Sequence, residues 1–165
     1  MTSFISITPN QFDLVFNLAK DIWNANYRDM ITQGQIDYML NMMYNPEQLQ
    51  QDLDAGYQWE LIYHDDKLVG YLAYVIKEDN RVFLSKIYLK TEAQGLGLGK
   101  LMLNRVKDYA KTNNCTAVYL TVNRGNEKGV RAYKRVGFKI IGEDNFNIGN
   151  GYIMNDYIFA YSIKQ

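Results

Sequence analysis

Histidine and cysteine are almost absent from this chain, which has one of each, His64 and Cys115. A single thiol makes no internal disulfide, and just ahead of the apolar run "TAVYLTV" Cys115 reads as a small buried hydrophobe rather than a nucleophile. His64 precedes a "DDK" turn, so neither a histidine-based metal centre nor a Ser-His or Cys-His catalytic set has its residues, and no metal is expected. Charge of one sign is missing too. Lys plus Arg is 18 and Asp plus Glu is 18, so no basic field steers the chain to nucleic acid or an anionic membrane. No apolar run reaches a spanning length, and the start "MTSFISITPN" lacks the basic and apolar regions of a signal, which predicts a cytoplasmic protein. With two prolines, no low-complexity tract and no repeat, nothing marks a linker. A chain of 165 residues, 47% hydrophobic, then has the material for one domain over 1–165.

What is present is a clear order of elements. After the short strand "FISI", Thr8-Pro9-Asn10-Gln11 supplies a cap, a proline for the first helical position and a capping-box glutamine. Phe12, Val15, Phe16, Ala19, Ile22 and Trp23 then give one buried helical face to about Tyr27. Thr32 with Gln35, and Asn45-Pro46-Glu47-Gln48, open two more helices, the second ending at Gly56. "YQWELIYH", "KLVGYLAYVIK" and "RVFLSKIYL" are rich in aromatic and β-branched residues and read as a three-stranded antiparallel meander. A glycine loop and helix to about Asn113, the strand "TAVYLTV", the helix "EKGVRAYKRVGF" and strands at "FKIIG" and "YIMNDYIFAYSI" complete the chain.

The glycine loop "QGLGLGK", Gln94 to Lys100, carries the chemistry. A nucleotide-binding P-loop requires a hydroxyl residue after Gly-Lys, and here Leu101 follows Lys100. A dinucleotide-binding turn requires a different glycine spacing and an acid at the end of the next strand, where this chain has "YLTVN". Two readings remain: a helix entry in which glycine only allows tight geometry, and pyrophosphate binding by backbone N–H groups at a helix start.

Gln94-Gly95-Leu96-Gly97-Leu98-Gly99 resembles the Q/R-x-x-G-x-G/A signature of the GCN5-related N-acetyltransferases (GNAT). The preceding "LSKIYLKTEA" and the later "NEKGVRAYKRVGF" are similar to that family's fourth strand and its second signature, in the right order. The resemblance implies an α/β fold, a mixed sheet of about seven strands split between the fourth and fifth and flanked by about four helices. It also implies direct transfer of acetyl from acetyl-CoA to a primary amine, without a metal or a covalent intermediate.

By the same resemblance, Ile87, Tyr88 and Leu89 hold the pantetheine through backbone groups, and the Leu89 N–H polarises the thioester carbonyl. Gln94, Gly95, Leu96, Gly97, Leu98, Gly99 and Lys100 hold the pyrophosphate. Asn126 contacts the pantetheine or caps its helix, Gly129 keeps the cofactor side small, and Tyr133, two helical turns after Asn126, protonates the departing thiolate. Ser85 stands where several relatives carry a glutamate base, which leaves Glu60, Asp156 or tyrosine hydroxyls as substitutes. The acceptor is expected between the loops "NANYRDMITQ" and "GEDNFNIGNGY", with Trp23, Tyr27, Asp29, Glu143 and Asp144 as its aromatic and acidic groups. The leaning is to a small-molecule amine, a diamine or polyamine, and to a homodimer, because final strands in this fold often pair between subunits. The alternatives are acetylation of a protein N-terminus or lysine, and a coenzyme A sensor without turnover.

Overall fold

The three start signals each open an element. The Thr8 N–H donates to Gln11 Oε1 at 2.9 Å, and residues 9–11 form a 3-10 turn that leads into α1 (Phe12–Tyr27). Thr32 Oγ1 accepts from the Gln35 N–H at 3.1 Å at the start of α2 (Gln33–Tyr44). Asn45 Oδ1 accepts from the Gln48 N–H at 2.8 Å at the start of α3 (Pro46–Asp54). Each bond satisfies a backbone donor that a helix start would otherwise leave unpaired. The computed structural model describes residues 1–164.

The strands are β1 (Thr2–Ser6), β2 (Gln58–His64), β3 (Lys67–Ile76), β4 (Val82–Leu89), β5 (Ala117–Asn123), β6 (Lys139–Gly149) and β7 (Tyr152–Ser162). Two more helices, α4 (Leu98–Thr112) and α5 (Glu127–Arg135), flank β5 in the chain. The described residues thus hold five α-helices, among them the short α3 that the sequence opened at Asn45-Pro46. The sheet has the order β1-β2-β3-β4-β5-β7-β6. Pairs β1–β2, β2–β3, β5–β7 and β6–β7 are antiparallel, and β4–β5 is parallel. The described β4–β5 ladder is short, with Val82 opposite Val118 and Phe83 opposite Tyr119, as a sheet that splits at this pair requires.

One expectation is corrected. The segment "GEDNFNIGNGY" is not a loop: β6 runs through it to Gly149, and the chain reverses at Asn150-Gly151, with φ of 52° and 78°, before Gly149 pairs with Tyr152. Both turn residues are left-handed, the condition for the two-residue turn that suits the twist of a hairpin. The strand is hard to read because β6 is an edge strand with mostly exposed side chains, so no buried face imposes an apolar alternation.

The chain divides into two compact units. The first comprises 1–75 and 86–102, and its core joins Trp59, Leu61, Ile62, Tyr71 and Leu72 of β2 and β3 to Val15, Ile22, Ile36, Tyr44 and Leu49 of α1, α2 and α3. Phe16, expected on the buried face of α1, is only half-buried, and Leu18 is buried instead. The second comprises 76–85 and the chain from Leu103, with Val106, Ala110, Cys115, Val118, Leu120, Phe138 and Phe159 inside. Removing each large aliphatic side chain from water contributes about 1.5–3 kcal/mol. Among the described residues no helix is long and apolar enough to cross a membrane.

Candidate active site

In the first unit, β4 ends at Leu89 and the chain enters the glycine loop. Gln94 ties the loop back to the strand, its Nε2 donating to the Leu89 carbonyl at 3.3 Å. Gly95 and Gly97 take φ of +81° and +80°, and Gly97 O accepts from the Leu101 N–H at 3.2 Å in the first turn of α4. A Cβ built on Gly95, Gly97 or Gly99 meets nothing within 4 Å, so the loop backbone is open to approach. Leu98 is buried and anchors the helix, whereas Leu96 and Lys100 are exposed. Glycine thus stands where the backbone turns left-handed ahead of a helix start, an arrangement suited in general to a bound anion.

Gly70 of β3 lies against the end of β4. A Cβ there would stand 2.3 Å from the Tyr88 carbonyl oxygen and 2.9 Å from Leu89 Cδ2. The Lys90 N–H donates to the Val69 carbonyl at 2.8 Å, which fixes the strand end that carries Ile87, Tyr88 and Leu89.

The same unit holds an aromatic network that sequence patterning did not reveal. Trp23 Nε1 lies 3.1 Å from both the Tyr44 and Tyr71 hydroxyls, which are 2.8 Å apart. The Tyr27 hydroxyl donates to that of Tyr88 at 3.3 Å, and Tyr71 and Tyr88 rings pack 5.2 Å apart. Burial raises the pKa of Tyr44 and Tyr71 well above the ordinary tyrosine value, so both stay neutral. Trp23, read in the sequence both on the buried face of α1 and among the acceptor groups, is a core residue. Next to the network, Lys86 is buried with its Nζ 5.3 Å from the Trp59 ring centre and 5.5 Å from that of Tyr44. Its pKa falls from 10.5 to about 8 because burial disfavours the charge, against a smaller opposing pull from Asp52. Asp52 is itself held by Gln48 Nε2 at 3.0 Å and Trp59 Nε1 at 3.1 Å. Glu60, a candidate base, accepts from the Tyr74 hydroxyl at 3.0 Å.

In the second unit, Asn126 caps α5, its Oδ1 accepting from the Gly129 N–H at 3.0 Å. A Cβ on Gly129 would approach Asn126 Nδ2 to 2.7 Å, so glycine there protects the cap. Tyr133, half-buried, packs its ring 5.7 Å from Phe138 and 5.9 Å from Phe159. Of the acidic candidates on β6, Glu143 lies 3.6 Å from the Arg124 guanidinium, and Asp144 Oδ1 accepts from the Asn145 N–H at 2.7 Å. Asp29 is exposed in the short turn after α1.

The sequence model of the acetyltransferase (GNAT) family matches residues 19–138. A spermine/spermidine N(1)-acetyltransferase of Bacillus subtilis is 35% identical over 94 residues, 52% of this chain and 62% of that protein. The relatives matched at 35% identity are spanned over only 62% of their length. A spermidine N(1)-acetyltransferase of Thermoplasma acidophilum is 25% identical over 149 residues, 86% of this chain and 88% of that protein. Among solved structures, a PaiA N-acetyltransferase from Thermoplasma acidophilum in complex with coenzyme A superimposes with a TM-score of 0.82 at 20% identity, over 98% of this chain and 99% of the other. At that identity the likeness speaks for the fold.

Proposed function

The chain belongs to the acetyltransferase (GNAT) family and is an acyltransferase, and from that premise we propose that it moves an acetyl group from acetyl-CoA directly to a primary amine of a small molecule, a polyamine by preference. The observation that carries the reading is the glycine loop: left-handed Gly95 and Gly97 expose backbone at the start of α4, with no side chain in the way of a pyrophosphate. The coenzyme A bound in the Thermoplasma structure and the polyamine activities named for two relatives support it. The family match includes residues of both compact units, which supports reading 1–165 as one acetyltransferase domain. A cytoplasmic location and a homodimer belong to the same proposal, with no nucleic acid or membrane partner.

In this reading Gln94, Gly95, Leu96, Gly97, Leu98, Gly99 and Lys100 hold the pyrophosphate, and Ile87, Tyr88 and Leu89 hold the pantetheine by backbone pairing. The Leu89 N–H steadies the negative charge that develops on the thioester oxygen, a role any side chain permits because backbone performs it. Asn126 already uses Oδ1 for its cap, so its Nδ2 is the end that would reach the pantetheine. The Tyr133 hydroxyl gives the departing thiolate its proton.

The test is thiol release from acetyl-CoA with spermine, spermidine, short diamines and peptides as acceptors. Turnover with the polyamines is expected. Binding of acetyl-CoA with no turnover on any amine at any pH would favour the sensor, and turnover only on peptides would favour the protein acetyltransferase. Tyr133→Phe keeps the ring contacts with Phe138 and Phe159, so the variant should fold while kcat falls about 100-fold. An unchanged kcat across the pH range would remove Tyr133 from the mechanism.

A further inference from the structure

The alternation of β7 assigns two faces within the second unit. Val118, Leu120 and Val122 of β5 lie opposite Tyr161, Phe159 and Tyr157 of β7. That face meets both helices: Lys107 of α4 stands 3.8 Å over the Tyr161 ring, and Tyr133 of α5 packs on Phe159. Asp156 is opposite Asn123 on β5 and opposite Asp144 on β6, and it shares with Thr121 a side-chain hydrogen bond, so these groups lie on the other face. Asp156 is only 5% exposed, and among the described residues no donor reaches its Oδ1. A buried carboxylate oxygen without a donor costs folding free energy and calls for a reason.

Other acids lack that combination. Glu60 is bonded to Tyr74, Asp52 to Gln48 and Trp59, Glu143 is near Arg124, and Asp144 is exposed. The charged groups near Asp156 on the neighbouring strands are Arg124, whose Nη2 donates to Asn145 Oδ1 at 2.6 Å, and Asp144 and Glu143 on β6. Burial raises the Asp156 pKa, with the Thr121 hydrogen bond and the Arg124 charge pulling the other way, which makes its carboxylate a stronger base than an exposed one.

We propose that Asp156 is the proton acceptor for the incoming ammonium, the part that Ser85 leaves unfilled on β4; this rests on the amine acetyltransferase reading above. The ammonium gives one N–H proton to Oδ1, and the freed nitrogen lone pair forms the C–N bond at the thioester carbonyl. The C–S bond breaks with its electron pair on sulfur, which takes a proton from Tyr133. The second proton leaves the nitrogen for solvent and solvent restores Tyr133, while Asp156 releases its own proton, so one proton is released per acetyl transferred.

Asp156→Asn keeps the shape and removes a buried charge, so the fold should survive with a thermal midpoint at or above the wild type's. With spermidine and acetyl-CoA, kcat/KM for the amine should fall about 100-fold or more near neutrality, and the deficit should narrow as pH nears the amine pKa of about 10. Asp156→Glu should restore part of the rate. A rate and pH profile equal to the wild type's, or a raised amine KM at unchanged kcat, would overturn the proton role, the latter making Asp156 an anchor. Wild-type protein that acetylates no amine would overturn the enzyme reading itself, and this inference with it, before any substitution is made.

Discussion

Gly95 and Gly97 are selected by handedness and not by room, since their φ values are near +80° and no atom stands within reach of an added Cβ. An L-residue at such a φ costs about 1–2 kcal/mol. Gly95→Ala should therefore lower stability by about 1 kcal/mol once the entropy lost by the unfolded chain is set against it, as urea unfolding would measure, and weaken acetyl-CoA binding in the same variant. Neutral behaviour on both counts would mean the loop reshapes freely. The spacing of these glycines was plain in the sequence, and the cap that Asn126 makes was one of its two readings there. Lys86 was not plain: in "LSKIYL" a lysine between Ser85 and Ile87 carries no sign of burial, and only the tertiary placement of Trp59 and Tyr44 takes it inside. Trp23 was legible as part of the buried face of α1 but not as a hydrogen-bond donor there, because the two tyrosine hydroxyls that meet its indole N–H lie 21 and 48 residues away in sequence.

At the scale of the element, the contrast is with Gly70, where room alone decides. Alanine there would overlap the Tyr88 carbonyl, and a backbone atom does not step aside as a side-chain tip does. Overpacking costs about 1–3 kcal/mol against about 0.5–1 gained by replacing glycine in a strand. Gly70→Ala should lower stability by about 1–2 kcal/mol and raise the KM for acetyl-CoA, because the displaced strand end is the one assigned to the pantetheine. Urea unfolding and steady-state kinetics check both; a stable variant with a normal KM would detach Gly70 from the site. Elements with a buried face, α1 to β5, were legible from apolar spacing and cap residues. The extension of β6 was not, because an exposed edge strand is fixed by its ladder to β7, and backbone pairing leaves no mark in composition.

For the molecule as a whole, Lys86 sets a stability that depends on pH. Its folded pKa of about 8 lies below the ordinary 10.5, so the native state binds fewer protons than the unfolded chain between those values. Stability from this group therefore rises as pH climbs from 8 to 10.5, and below 8 the full penalty of a buried charge is present, about 3 kcal/mol. Other groups titrate in that range, so the measurement is the difference between wild type and Lys86→Met in urea unfolding from pH 7 to 10.5. The wild type should gain on the variant by about that amount across the interval, and parallel curves would show that the lysine is solvated.

The chain passes between its two compact units at 75/76, 85/86 and 102/103. Neither unit is therefore a continuous stretch of polypeptide, and no single cut releases one of them whole. Such interleaving means that the second unit's last strand must be made before the helix α4, which begins in one unit and ends in the other, has all its neighbours.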